Sequence, residues 1–160
     1  MSNNNNCIRV YGDPVLRLKA KPVTKFNSRL EKLLEQMAVC MYNARGVGLA
    51  APQVGASIRA VVIDVGEGLL TLINPEIISA EGEEVDVEGC LSLPGLIGDV
   101  PRHTKITVHA LDISGKELEI TGDGLLARAL QHELDHLDGI LFIDRAQNIR
   151  PCETEQGKEG

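Results

Sequence analysis

QHELDHLDG, residues 131–139, decides how this chain is read. It lies in a run from about Gly124 to Leu137 that has helical periodicity, with Asp123 as a cap and Gly139 as a stop. Two histidines four apart on a helix lie about 40° apart around its axis, so His132 and His136 project from one face, one turn apart. That spacing puts two imidazole nitrogens within reach of one cation at about 2.1 Å. Glu133, about 100° further round, can approach the ion without joining its ligands and can exchange a proton with a water there. Leu125, Ala129, His132 and His136 share one face, and Leu126, Leu130 and Leu137 fill the arc beside Glu133. Gln131 and Asp135 take the outer side, with Arg128 at the boundary. Two imidazoles and a carboxylate turned toward aliphatic neighbours are costly unless something compensates them, and a divalent cation does so.

A catalytic site of this kind needs a third protein ligand and an open position. A further histidine three residues past Gly139 would complete one known pattern, but Phe142 stands there. A downstream glutamate would complete another, but Glu153, Glu155 and Glu159 lie in a tail punctuated by Gly and Pro with no helical stripe. Upstream, Cys90 sits in EGCLS, between an expected strand and an irregular loop, and a thiolate beside a divalent ion binds strongly. A zinc endopeptidase drawing a carboxylate from the tail is one rival reading. A non-catalytic module keeping a structural ion is the other, although structural sites are usually closed by four ligands.

Working outward, a helix is expected from about Ser28 to Arg45, capped by Asn27 or Ser28 and ended by Gly46, with Leu30, Leu33, Leu34, Met37 and Met41 as its buried stripe. GVGLAAPQVG, residues 46–55, reads as a glycine-rich turn. Arg59–Val65 and Leu69–Asn74 read as a hairpin, and Pro75–Val87 as strand, turn, strand. Glu88–Arg102 is expected to be irregular or an edge. Lys105–Ile113 and Glu117–Thr121 are further strands, and Ile140–Ile143 a last short one. Many short strands with two helices make an α+β domain. One domain spans residues 1–160, with an ordered core of about 8–144 and a loose tail over 145–160.

Bulk composition narrows the function. The 160 residues are 43% hydrophobic and only 2% aromatic, so the core is aliphatic. A net charge of -7 argues against sequence-independent nucleic-acid binding. No apolar run is long enough to cross a bilayer, and MSNNNN lacks the features of a signal or transit peptide, so a cytoplasmic enzyme away from the membrane is expected. In that reducing compartment Cys7, Cys40 and Cys152 are expected to be unpaired packing or surface residues.

Taken together, GVGLAAPQVG, EGCLSLP and QHELDHLDG, in that order, resemble the three signature motifs of the peptide deformylases. IRVYGDPVLRLKAKPV and MYNA are similar to that family too, and the resemblance runs from about Ile8 to Asp144. It implies a central helix bearing the histidines packed among antiparallel sheets. It also implies hydrolysis of the formyl group from the N-terminal formyl-methionine of nascent polypeptides, releasing formate. By motif position, Cys90, His132 and His136 would be the metal ligands, Glu133 the acid/base, and Gln53 with the backbone N–H of Leu91 the oxyanion donors. The family's metal is usually Fe²⁺, with Zn²⁺, Ni²⁺ or Co²⁺ able to occupy the site. Val47, Gly48 and Gly89 would bond the peptide main chain, and Leu125 and Ala129 are expected to line the methionine pocket. Glu88 and Arg102 can pair behind Cys90. Many members carry a C-terminal helix after the segment matching Leu141–Asp144. Arg145–Gly160 shows no amphipathic stripe, so ribosome contact through such a helix does not carry over.

Overall fold

The computed structural model describes residues 7–152. Helix α1 (Ser28–Asn43) begins where the Asn27 side chain accepts from the Leu30 amide. Strands β1 (Gly48–Ala50), β2 (Ala60–Ile63), β3 (Leu70–Glu81), β6 (Lys105–Leu111) and β7 (Glu117–Asp123) form an antiparallel sheet in the order β1-β2-β3-β6-β7. Strands β4 (Glu84–Cys90), β5 (Leu93–Arg102) and β8 (Gln147–Pro151) form a second antiparallel sheet in the order β4-β5-β8.

Helix α2 (Gly124–Leu137) is wedged between the two sheets. Ala127, Leu130, Leu134 and Leu137 pack with Ala50, Val61 and Ile63 of the larger sheet. The opposite side of the helix is bound to the smaller sheet by polar bonds. Arg128 donates to the carbonyls of Glu84 and Val100, and Gln131 exchanges hydrogen bonds with the backbone of His103. Gln131 is therefore buried and Asp135 nearly so, which corrects the expectation of a solvated outer face. Periodicity identifies which side of a helix is apolar, but it does not reveal a second sheet that binds the polar side.

Most expected elements are present, with five corrections. Arg45 rather than Gly46 takes the left-handed position that ends α1, two residues earlier than expected. Strand β3 runs straight through Pro75, because a bulge at Asn74, whose side chain bonds both backbone groups of Val23, absorbs the missing N–H. The 88–102 stretch is an edge and irregular only as far as Ser92: Leu93–Arg102 form β5, the central strand of its sheet, with Pro94 near its start. Residues 142–144 form a 3-10 turn instead of a strand, and 147–151 form β8 where a loose tail was expected. The free edge of β5 supplies the partner that such a short polar segment lacks alone. Residues 1–6 and 153–160 lie outside the described residues.

The cysteines also differ from expectation. Ile8 is buried among the α1 side chains, which brings Cys7 to Cys40, and the two form a disulfide with a Cα–Cα separation of 6.5 Å. The contrary expectation rested on cellular compartment, which carries no information about proximity in the fold.

Candidate active site

Each sheet brings an edge strand against α2. β1 is the outer strand of the larger sheet and β4 the outer strand of the smaller. The end of β4 carries Glu88, Gly89 and Cys90, and a register shift at Gly89/Cys90 breaks the ladder there. Such a bulge re-aims a side chain. Cys90, His132 and His136 are all buried, and their candidate ligand atoms lie within 4.8 Å of one another. Cys90 Sγ is 3.3 Å from His136 Nε2. Two ligands of one tetrahedral ion, on arms of about 2.3 and 2.1 Å, stand about 3.5 Å apart.

The hydrogen bonding agrees with the same fit. His132 Nδ1 is 2.9 Å from Glu88 Oε1, which fixes the proton on Nδ1 and leaves the Nε2 lone pair facing the cluster. His132 Nε2, Glu133 Oε1 and His136 Nδ1 are buried without a hydrogen-bond partner. Leaving buried polar atoms unsatisfied costs about 1–3 kcal/mol each, so the cluster suits a cation. The electrostatics point the same way. Burial pushes His132 down, yet the neighbouring Cys90, the Glu88 carboxylate bonded to its Nδ1 and nearby Glu133 outweigh that and raise it well above its ordinary value. A position that holds a proton so firmly favours positive charge, and a metal ion displaces that proton. Burial, reinforced by His132, pushes His136 well below its ordinary value, leaving the neutral imidazole that binds metals. The donor set, one thiolate and two imidazoles, suits zinc or a first-row metal of similar softness.

Glu88 is itself anchored. Arg102 donates to both its oxygens at 2.8 and 2.9 Å, and Arg128 reaches it at 2.7 Å. Burial would raise its pKa, but Arg102 and His132 outweigh burial and hold it below the usual carboxylate range. Arg102 also bonds Asp135, which Arg145 grips from outside. The expected Glu88–Arg102 pairing is thus present and runs on to His132.

Glu133 is fully buried, and burial raises its pKa to about 7 although neighbouring His132 opposes the rise. It approaches Gly48 so closely that a Cβ there would lie 2.6 Å from Glu133 Oε2. Gln53, in the 3-10 turn Ala51–Val54, is buried, and its side-chain oxygen accepts from the Ala50 amide at 2.9 Å. Its Nε2 is 3.7 Å from Cys90 Sγ and donates to Ser92 Oγ at 3.1 Å. Leu91 occupies the turn between Cys90 and Ser92, its side chain against Gly46.

Gly48 begins edge strand β1, with Val47 just before it, and Gly89 lies in edge strand β4. The Val47 carbonyl is already taken by the Asp64 amide, so only its N–H is left for an added strand. Ala129 is buried one turn before His132, whereas Leu125 is 54% exposed and stands at the rim. Sequence reading missed Ser92, Arg128, Asp135 and Arg145. An arginine between two buried alanines in α2 was the available signal for Arg128. The tail glutamates of the endopeptidase reading lie outside the described residues.

Comparison with known proteins agrees with this arrangement. The polypeptide deformylase family model matches residues 6–151. The peptide deformylase of Pelotomaculum thermopropionicum is 61% identical over 139 residues, covering 87% of this chain and 90% of its own length. That of Thermoanaerobacter pseudethanolicus is 60% identical over 153 residues, covering 95% of this chain and 96% of its own. The crystal structure of the peptide deformylase from Thermotoga maritima superposes with a TM-score of 0.86 at 50% identity, over 88% of this chain and 96% of that one.

Proposed function

The chain belongs to the polypeptide deformylase family, and from that we propose how its residues divide the work of removing the formyl group from the N-terminal formyl-methionine of nascent polypeptides. It is a metal-dependent hydrolase. Cys90, His132 and His136 hold one divalent ion, and the observation that carries this is their burial with ligand atoms inside 4.8 Å. A cation held there would supply Lewis acidity and activate a water for attack.

The protein's own groups do the rest. Glu133 accepts the proton of the attacking water and delivers it to the departing amine, a role suited to a carboxyl raised to about 7. Gln53 Nε2 and the Leu91 N–H donate to the oxygen on which negative charge builds. Gln53 arrives oriented, because Ala50 fixes its oxygen and Ser92 its nitrogen. The peptide adds as a strand between β1 and β4, using Val47, Gly48 and Gly89. The methionine side chain lies along Ala129, with Leu125 at the pocket's rim.

Fe²⁺ is the ion proposed for the cell on the family resemblance, with Zn²⁺, Ni²⁺ and Co²⁺ as alternative occupants. No helix of the described residues is long and apolar enough to cross a membrane. The cytoplasm is the compartment proposed, as one where formylated nascent chains are made. Formate release from a short formyl-methionyl peptide, with metal analysis of the same anaerobic sample, tests the reading. One equivalent of metal with turnover is expected, and a chelator should abolish turnover. Metal without formate release, or formate release without metal, contradicts it.

A further inference from the structure

We infer that Arg45 is a specificity-determining residue that selects formyl-peptides carrying an acidic group at their third or fourth residue; this rests on the reading of the cleft given above. The first observation is conformational. α1 ends in a paired-bond motif: the Arg45 amide donates to the Tyr42 carbonyl at 3.0 Å and the Gly46 amide to the Met41 carbonyl at 3.0 Å. The residue between them takes a left-handed backbone, φ 62°. Glycine is the usual occupant of that position, because a side chain there is strained. Arginine is thus a poorer choice for the fold than glycine, and strain of this sort gathers at functional positions.

The second observation is where the cleft opens. Gly48 lies against Glu133 and so marks the reacting end. From Gly48 toward Gln53 every residue is buried, so a bound peptide cannot leave that way. Toward the other end Val47 and Gly46 are half-buried and Arg45 is exposed. A peptide paired with this edge runs antiparallel to β1. Its first residue lies beside Gly48 and each later one about 3.3 Å further out. The third residue then comes level with Gly46, next to the exposed turn out of α1 that carries Arg45, and the fourth lies beyond it.

The third observation is charge. Arg45 has no ionic or hydrogen-bonded side-chain partner among the described residues. Asp64 and Asp86 already accept other hydrogen bonds. Asp64, tied to Val47 through its amide, accepts from Tyr42 Oη at 2.6 Å and the Gly66 amide at 2.8 Å. On the facing strand Asp86 accepts from the Val87 amide. A free guanidinium at the exit of a protein with net charge -7 is therefore available to a substrate carboxylate.

The test measures formate release by metal-loaded, full-length protein at low ionic strength. The substrates are formyl-Met-Ala-Ala-Ala amide and its forms with Asp or Lys at the third or fourth residue. Asp should exceed Lys by about threefold to fivefold in kcat/KM, carried by KM, as befits one exposed ion pair. The preference should vanish in about 1 M salt, where charges are screened beyond about 3 Å. Arg45→Gly should erase it while leaving neutral-peptide turnover unchanged and the thermal midpoint unchanged or higher. Arg45→Glu should invert it. Equal rates for Asp and Lys in the wild type, or a preference that survives Arg45→Gly, overturns the inference and leaves the deformylase reading intact. No formate from the neutral peptide would overturn both.

Discussion

Replacing Gly48 with alanine separates the placement of the acid/base from the binding of the metal. The added methyl would sit 2.6 Å from Glu133 Oε2, 2.9 Å from its Cγ and 3.0 Å from its Cδ, where 3.4 Å begins ordinary contact. The carboxylate must therefore retreat by about 0.8 Å, and the three atoms nearest the methyl all belong to Glu133 rather than to Cys90, His132 or His136. Misplacing a reacting group by about 1 Å costs on the order of 10²-fold in rate. Gly48 does not have a positive φ, so alanine itself fits the backbone. A coupled assay of released formate should show kcat reduced by about 10²-fold, with metal content equal to wild type. Wild-type kcat in a folded, metal-replete Gly48→Ala protein would refute the claim that the position of Glu133 limits the reaction.

Three other perturbations probe separate parts of the account. Ser92→Ala removes the acceptor that orients Gln53 and should lower kcat roughly tenfold with KM little changed, read by steady-state kinetics. Reducing the Cys7–Cys40 bridge, or Cys40→Ser, frees a 33-residue separation and should cost up to about 3–4 kcal/mol in denaturant unfolding. Asp144, hydrogen-bonded by Arg17, is held below its ordinary value of 3.8, so its contribution is present above that pH and lost as pH falls through the folded value. The difference in thermal midpoint between wild type and Asp144→Asn should therefore shrink below about pH 3.8, and a difference that grows there would contradict the pairing.

What the sequence reveals follows from which interactions are local. His132, Glu133 and His136 stand on one helix, so their geometry follows from helical rise and turn, and α2 is found within its expected bounds. Cys90 is 42 residues upstream of His132, so the sequence offers it as a third ligand only by elimination and by the order of the three motifs, and the fold is what brings its sulfur to the two rings. β8 was missed because a five-residue polar segment has no strand signal until β5 offers it an edge. Ser92 and Asp135 were missed for a related reason. Each matters through a partner far away in the chain, Gln53 in one case and Arg102 in the other. The burial of Gln131 likewise depends on a sheet that no single-helix pattern can announce.

Turnover and metal content of the Glu133→Gln protein bear most directly on the whole account. The substitution keeps the shape of the side chain and leaves all three proposed ligands in place. The account predicts one equivalent of bound divalent metal and formate release reduced by about 10²–10⁴-fold, the range for loss of a positioned acid/base. A metal-replete Glu133→Gln enzyme that releases formate at the wild-type rate would contradict it.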